Sequence, residues 1–147
     1  MNDQLENETV LESAGPHWTF SVIHAAHLIE DRIEEALGKV GLSLAKHGAL
    51  SELAAAGEPL TLSQLAARLS CVRSNMTQLV DRLEADGLVK RLDDPADRRS
   101  VRAELTALGK EKQRAGEKAM KKVQSEFAAS LTTRERSALE AALGALK

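Results

Sequence analysis

Aromatic residues are nearly missing from this 147-residue chain: Trp18, Phe20 and Phe127 are the whole set, and there is no tyrosine. Proteins that grip single-stranded nucleic acid stack bases on aromatic side chains, so that mode of binding is disfavoured. Cysteine is reduced to Cys71, which excludes an internal disulfide and a multi-thiolate zinc site within one chain. No apolar run approaches the roughly 18 residues that span a bilayer. The first residues, MNDQLENETVLES, lack the basic and apolar regions of a signal peptide. These absences point to a cytoplasmic protein with no membrane partner. A Gly-rich phosphate loop, a nucleophile elbow and a well-placed carboxylate pair are missing too, which argues against an enzyme and against a bound cofactor.

What remains is a globular balance of 43% hydrophobic and 29% charged residues, in a length that suits one domain with a real core. The net charge of −2 conceals a gradient. Residues 1–67 hold 3 basic and 10 acidic side chains, residues 68–106 hold 8 and 7, and residues 107–147 hold 9 and 5. A locally positive face is therefore allowed behind an acidic front.

Periodicity divides the chain. Trp18, Val22, Ile29, Ile33, Leu37 and Val40 recur at near-helical spacing behind Pro16, a good first-turn residue, and Gly38 and Gly41 mark the end. Ser43 caps a second helix over about 44–56. Thr61 and Gln64 form a capping box that opens a short helix, 62–69. A further helix runs from about Arg73 to Ala85, with Met76, Leu79, Val80 and Leu83 as its apolar stripe and Gly87 as its stop. The pattern then changes period: 88–92 reads as a strand, 93–100 as a turn-rich loop and 101–105 as a second strand. Beyond Thr106, Leu108, Ala115, Ala119, Val123 and Phe127 form one stripe opposite the solvated lysines Lys110, Lys112, Lys118, Lys121 and Lys122. Thr132 and Glu135 cap a last helix. The expected class is mainly α with a small β-hairpin wing: four helices, a hairpin, then two helices.

Two short helices joined by a tight turn, followed by a hairpin with a charged tip, make a winged helix-turn-helix. A helix fits the major groove, where every base pair presents a distinct donor and acceptor pattern. Arg73, Ser74, Asn75, Thr77 and Gln78 offer hydrogen-bonding groups on the front of the second of these helices. Arg98 and Arg99 at the hairpin tip suit the minor groove or the phosphates. Arg68, Arg73, Arg82 and Arg102 either contact phosphate or are paired within the chain.

The run Leu65-Ala-Ala-Arg-Leu, the segment from Ser74 through Asp81-Arg-Leu-Glu-Ala-Asp-Gly-Leu-Val-Lys-Arg, then Asp94-Pro-Ala-Asp-Arg-Arg-Ser and Leu105-Thr-Ala-Leu-Gly resemble the multiple-antibiotic-resistance regulator (MarR) family. The match is dense over 62–109. The resemblance implies a cytoplasmic homodimer that binds a palindromic double-stranded DNA operator, commonly as a repressor, and that lets go when a small aromatic effector, an oxidant or a metal arrives. It implies dimerisation helices in 15–42 and 107–147 around a DNA-binding part, 43–106, all in one domain, 15–147; the polar, acidic residues 1–14 before it are expected to form a flexible segment. It places the wing arginine on Arg98 or Arg99, oriented by Asp97, and base-reading positions near Ser74, Asn75 and Gln78. Val72 departs from the family's polar helix cap, and Cys71 stands where an aliphatic residue is usual.

Cys71 reads as a small hydrophobe, although a thiolate beside Arg73 at a helix start would be activated. His24 and His27 are three apart on the first helix, with His17 and His47 nearby in sequence. A metal needs three or four converging ligands, and none is expected here. Trp18, His24, His27 and His47 are the candidates to line an effector pocket. The competing reading of the whole chain is a winged helix used for protein assembly, which predicts no salt-dependent DNA binding.

Overall fold

The computed structural model describes residues 17–70 and 73–146, with side chains described over 17–70 and 75–146. The expected flexible segment at 1–14, Pro16, Cys71 and Val72 lie outside the described residues. The elements in order are α1 (His17–Gly38), α2 (Leu44–Ala56), β1 (Leu60–Thr61), α3 (Leu62–Arg68), α4 (Arg73–Ala85), β2 (Val89–Asp94), β3 (Asp97–Leu105), α5 (Ala107–Ala129) and α6 (Thr133–Gly144). Four helices, a hairpin and two helices follow as the periodicity predicts.

The helix starts are made by short polar side chains. Ser43 accepts from the Lys46 amide at 3.2 Å. Thr61 and Gln64 form a reciprocal capping box, with the Thr61 amide donating to Gln64 Oε1 at 2.9 Å and the Gln64 amide to Thr61 Oγ1 at 3.1 Å. Thr132 and Glu135 repeat the arrangement at α6. Each box satisfies two amides that the first turn would leave without partners.

The sheet differs from expectation in two places. It has three antiparallel strands in the order β1-β3-β2, because the two residues of β1 pair with Ala103 and Arg102. The segment 93–100, expected as a loop, is mostly strand: β2 continues to Asp94 and β3 begins at Asp97 after a two-residue turn. Asp93 pairs with Val101 and Asp94 with Asp97, so Arg98, Arg99 and Ser100 are extra residues on the β3 side and form a bulge at the tip. A bulge leaves such residues outside the ladder and re-aims their side chains.

The unit from Ile33 onward holds the core. Leu37, Ala49, Leu50, Leu60, Leu65, Met76, Val80, Leu83, Val89 and Ala103 are buried, drawn from every element between the end of α1 and β3. Burying a side chain of this kind contributes about 1.5–3 kcal/mol. The stripe expected on α4 is buried as read, with Leu79 partly so. On α5 the tight packing comes instead from Gly109 and Gly116, while Leu108 is exposed.

Gly109 sits at a close approach. Thr106, the N-cap of α5, donates from its amide to the Leu88 carbonyl at 3.1 Å and from its hydroxyl to the Gly87 carbonyl at 2.6 Å, and its Oγ1 accepts from the Gly109 amide at 3.0 Å. These bonds draw the first turn of α5 onto Leu88, where a Cβ on residue 109 would stand 1.9 Å from the Leu88 carbonyl oxygen. Only glycine fits.

In the unit that ends at Arg32, α1 exposes Trp18, Phe20, Val22, Ile23 and Leu28. In the second unit α6 has no buried residue; it exposes Leu139 and Leu143, and Leu146 just beyond it is exposed too. Among the described residues no helix is long and apolar enough to cross a membrane.

Candidate nucleic-acid interface

The chain leaves α3 through Ser70, whose φ of 53° is a left-handed conformation that costs a non-glycine residue about 1 kcal/mol. It then enters α4. Met76, Val80 and Leu83 point into the core, so the opposite side of α4 faces solvent. That side carries Asn75, Thr77, Gln78 and Arg82, all exposed. Asn75, Gln78 and Arg82 lie three and four residues apart and form one stripe. The side chains of Arg73 and Ser74 lie outside the described residues.

The tip of the β2–β3 hairpin is the second part. Asp97 Oδ1 accepts from the backbone amide of Arg99 at 2.9 Å, so its contact is to the backbone of the tip, which shapes the bulge. Arg98 and Arg99 are exposed. One level down, Asp94 is buried; its Oδ1 accepts from the Ala96 amide at 3.0 Å and pairs with Arg102 Nη2 at 3.1 Å. Arg102 Nε is buried with no hydrogen-bond partner. Arg102 is thus built into the base of the hairpin.

The arginines whose side chains are described from α3 to β3 sort into two sets. Arg68 faces Glu52 at 3.4 Å, Arg102 holds Asp94, and Arg91 on β2 binds Asp81 and Glu84 of α4 together. The side chains of Arg82, Arg98 and Arg99 have no ion-pair or hydrogen-bond partner among the described residues. The Asp81 carboxylate, against the smaller opposing effect of burial, raises the Arg91 pKa above its ordinary value. Sequence reading missed Arg91. The signal was present, since Asp81 and Glu84 are three apart on a helix that folds back at Gly87 onto the strand carrying Arg91. This clamp joins α4 to the wing strand and neutralises two carboxylates that would repel phosphate.

The four effector candidates fall in different surroundings. Trp18, His24 and His27 are exposed on α1. His47 is buried on α2 against α5: its Nε2 lies 3.8 Å from Glu117 Oε2 and 3.4 Å from Ser51 Oγ, and its Nδ1 has no hydrogen-bond partner. Burial lowers the His47 pKa, and the Glu117 charge only partly offsets this. Among the described residues there is no group of three or more His, Cys, Asp or Glu that could hold a metal. Of the lysines expected to be solvated, Lys112 is half-buried and donates from Nζ to the Val40 carbonyl at 2.8 Å. That carbonyl follows the last turn of α1 and attracts a cation.

Comparison with known proteins finds relatives of this geometry. Residues 40–100 match the family model described as MarR family. The HTH-type transcriptional regulator PrsX of Escherichia coli is 35% identical over 88 residues, which are 59% of this chain and 53% of PrsX. The chain thus spans about half the length of the curated relatives it matches. A cysteine-to-serine variant of MarR from Escherichia coli, solved in complex with operator DNA, superposes with a TM-score of 0.75 at 26% identity, covering 86% of this chain and 91% of that one. The organohalide-sensing transcriptional regulator RdhR, solved in its 2,4-dichlorophenol-bound form, superposes with a TM-score of 0.78 at 26% identity, covering 88% and 76%. In sequence motif, element order and three-dimensional fold, the chain is similar to the MarR family of winged-helix proteins.

Proposed function

We propose that this protein is a sequence-specific double-stranded DNA-binding transcriptional regulator, a homodimeric repressor released by a small-molecule effector. The observation that carries the reading is the division of the arginines from α3 to β3. Those inside the fold are matched to carboxylates, whereas Arg82 on α4 and Arg98 and Arg99 at the wing tip are unmatched. Unpaired guanidinium groups on a reading helix and on a hairpin bulge are what a duplex needs from a winged helix. Asn75 and Gln78 supply bidentate groups for adenine in the major groove, and the wing arginines supply minor-groove or phosphate contacts. Thr77 belongs to the same face. Arg73 and Ser74 are proposed with them from the sequence, and Asp97 acts by shaping the tip. The operator-bound structure of a family relative supports this docking.

The apolar residues exposed on α1 and α6 support dimerisation through the two ends of the chain, 15–42 and 107–147, around the DNA-binding part 43–106. A two-fold dimer reads half-sites about 10 bp apart or a multiple of that. Release by a small aromatic effector is supported by the relative with bound dichlorophenol, and Trp18, His24, His27 and His47 remain the proposed residues for it.

Fluorescence anisotropy on duplex DNA from upstream of the protein's own gene, across a salt series, tests the reading. Wild type binds with a steep salt dependence. Each phosphate that an arginine neutralises adds about 0.9 to the salt slope, so Arg98→Ala/Arg99→Ala should bind more weakly with a slope shallower by about 1–2. Equal binding by both proteins overturns the wing assignment. Salt-insensitive or absent binding favours the protein-assembly reading instead.

A further inference from the structure

We propose that the groove between the C-terminal turn of α2 and the first turns of α5 is a binding site for a small carboxylate with a short apolar body. The groove has a volume of 390 Å³, at the small end of the roughly 300–1,000 Å³ range of ligand pockets. Its apolar surface comes from Leu53, Ala54, Pro59 and Leu105, and its polar groups from Lys110, Gln113 and Arg114 on one side and Glu58 and Glu104 on the other. None of Trp18, His24, His27 or His47 lines it, and it lies apart from the arginines of the wing.

The charges decide the class of ligand. Lys110, Gln113 and Arg114 stand three and four residues apart, which places them on one face of α5. Neither the Lys110 nor the Arg114 side chain has an ion-pair or hydrogen-bond partner among the described residues, and the half-buried Gln113 side-chain amide has none either. Glu104 is already committed, with Lys90 Nζ 2.9 Å from its carboxylate. Glu58 therefore stands alone against two uncommitted cations and a free amide donor, so the groove favours an anion. At Gly57, which also lines it, a Cβ would meet nothing within 4 Å. The entrance is open on that side. A carboxylate seated between Lys110 and Arg114, with a chain of about six carbons over Leu53, Pro59 and Leu105, satisfies both halves of the surface. The proposal does not depend on DNA binding.

The test is an NMR titration of the ¹⁵N-labelled protein with hexanoate, hexanol and hexylamine, three probes that share one tail and differ in head-group charge. Saturable shifts at the amides of Ala54, Gly57 and Leu105 are expected with hexanoate, with a dissociation constant on the order of 1 mM. Hexanol and hexylamine should bind at least roughly five-fold more weakly. Lys110→Gln/Arg114→Gln, which alters only exposed side chains, should weaken hexanoate by a similar factor. Ala54→Trp, which fills the groove and keeps the charges, should abolish the shifts. No saturable shift at these amides overturns the site. Hexanol binding as well as hexanoate, hexylamine binding better, or unchanged binding by the double variant overturns the anion assignment.

Discussion

The imidazole of His47 lies so close to the backbone of Gly116 that a Cβ on that glycine would stand 2.4 Å from Nδ1 and 2.9 Å from Leu42 Cδ1. The α2–α5 contact depends on this missing side chain. Alanine would improve helix propensity by about 1 kcal/mol, but it would overpack a buried ring at a typical cost of about 1–3 kcal/mol. Gly116→Ala is therefore expected to lower stability by about 1 kcal/mol in urea unfolding. Gly144→Ala, where a Cβ meets nothing within 4 Å, should be neutral or slightly stabilising. A stabilised Gly116→Ala would mean that the ring moves freely and that the contact is loose.

His47 also predicts a pH response. Its folded pKa lies below the ordinary histidine value because burial opposes the charge. The unfolded chain then binds the proton more readily, so stability is full above about pH 6.5 and is lost as pH falls from there through the folded pKa. The melting temperature should drop between pH 7.5 and 5.5, and His47→Gln should shrink that drop. An identical pH profile in the variant would assign the effect to other groups.

Arg91 is the clamp between helix and wing. Its partners are partly exposed, with side chains 57% and 42% accessible for Asp81 and Glu84, so solvent screening limits each pair to at most about 1 kcal/mol. A double-mutant cycle on stability between Arg91→Gln and Asp81→Asn should give a coupling of about 0.5–1 kcal/mol. The DNA salt slope separates two roles. If Arg91 only positions α4, Arg91→Gln weakens DNA binding and leaves the slope unchanged; a slope shallower by about 0.9 would make it a phosphate contact.

Gly109 gives the most severe substitution. A Cβ there meets backbone, the Leu88 carbonyl oxygen at 1.9 Å, and a backbone atom cannot rotate away. Gly109→Ala should cost about 3 kcal/mol or more, the upper end of overpacking penalties, read as a lower urea midpoint with an unchanged m-value. A loss under about 1 kcal/mol, the low end of that range, would show that α5 can shift off the strand without harm.

Much of the architecture was legible in the residues themselves. The capping boxes Thr61/Gln64 and Thr132/Glu135 are local chemistry, made within four residues, and both form as read. The change from helical to alternating period after Gly87 marked the hairpin for the same reason. β1 was hidden because two residues carry no period, and it exists only because Ala103 and Arg102 lie beside it. The segment 93–100 has the composition of a loop, yet pairing of Asp93 with Val101 and Asp94 with Asp97 makes most of it strand and leaves Arg98 and Arg99 on a bulge. Composition reports local preference, and a ladder of backbone hydrogen bonds overrides it.

By itself, then, the sequence determined which segments are helix and hairpin, since caps and periods act over a few residues. Tertiary structure alone decided how the charges are divided. Arg91 and Arg102 are as basic in sequence as Arg98 and Arg99, but folding brings Asp81, Glu84 and Asp94 to the first two and leaves the last two open to solvent. Ion pairing depends on distances of a few ångströms between residues that fold brings together. The same holds for His47 and Gly116, far apart in the chain, whose contact exists only once α2 and α5 have packed.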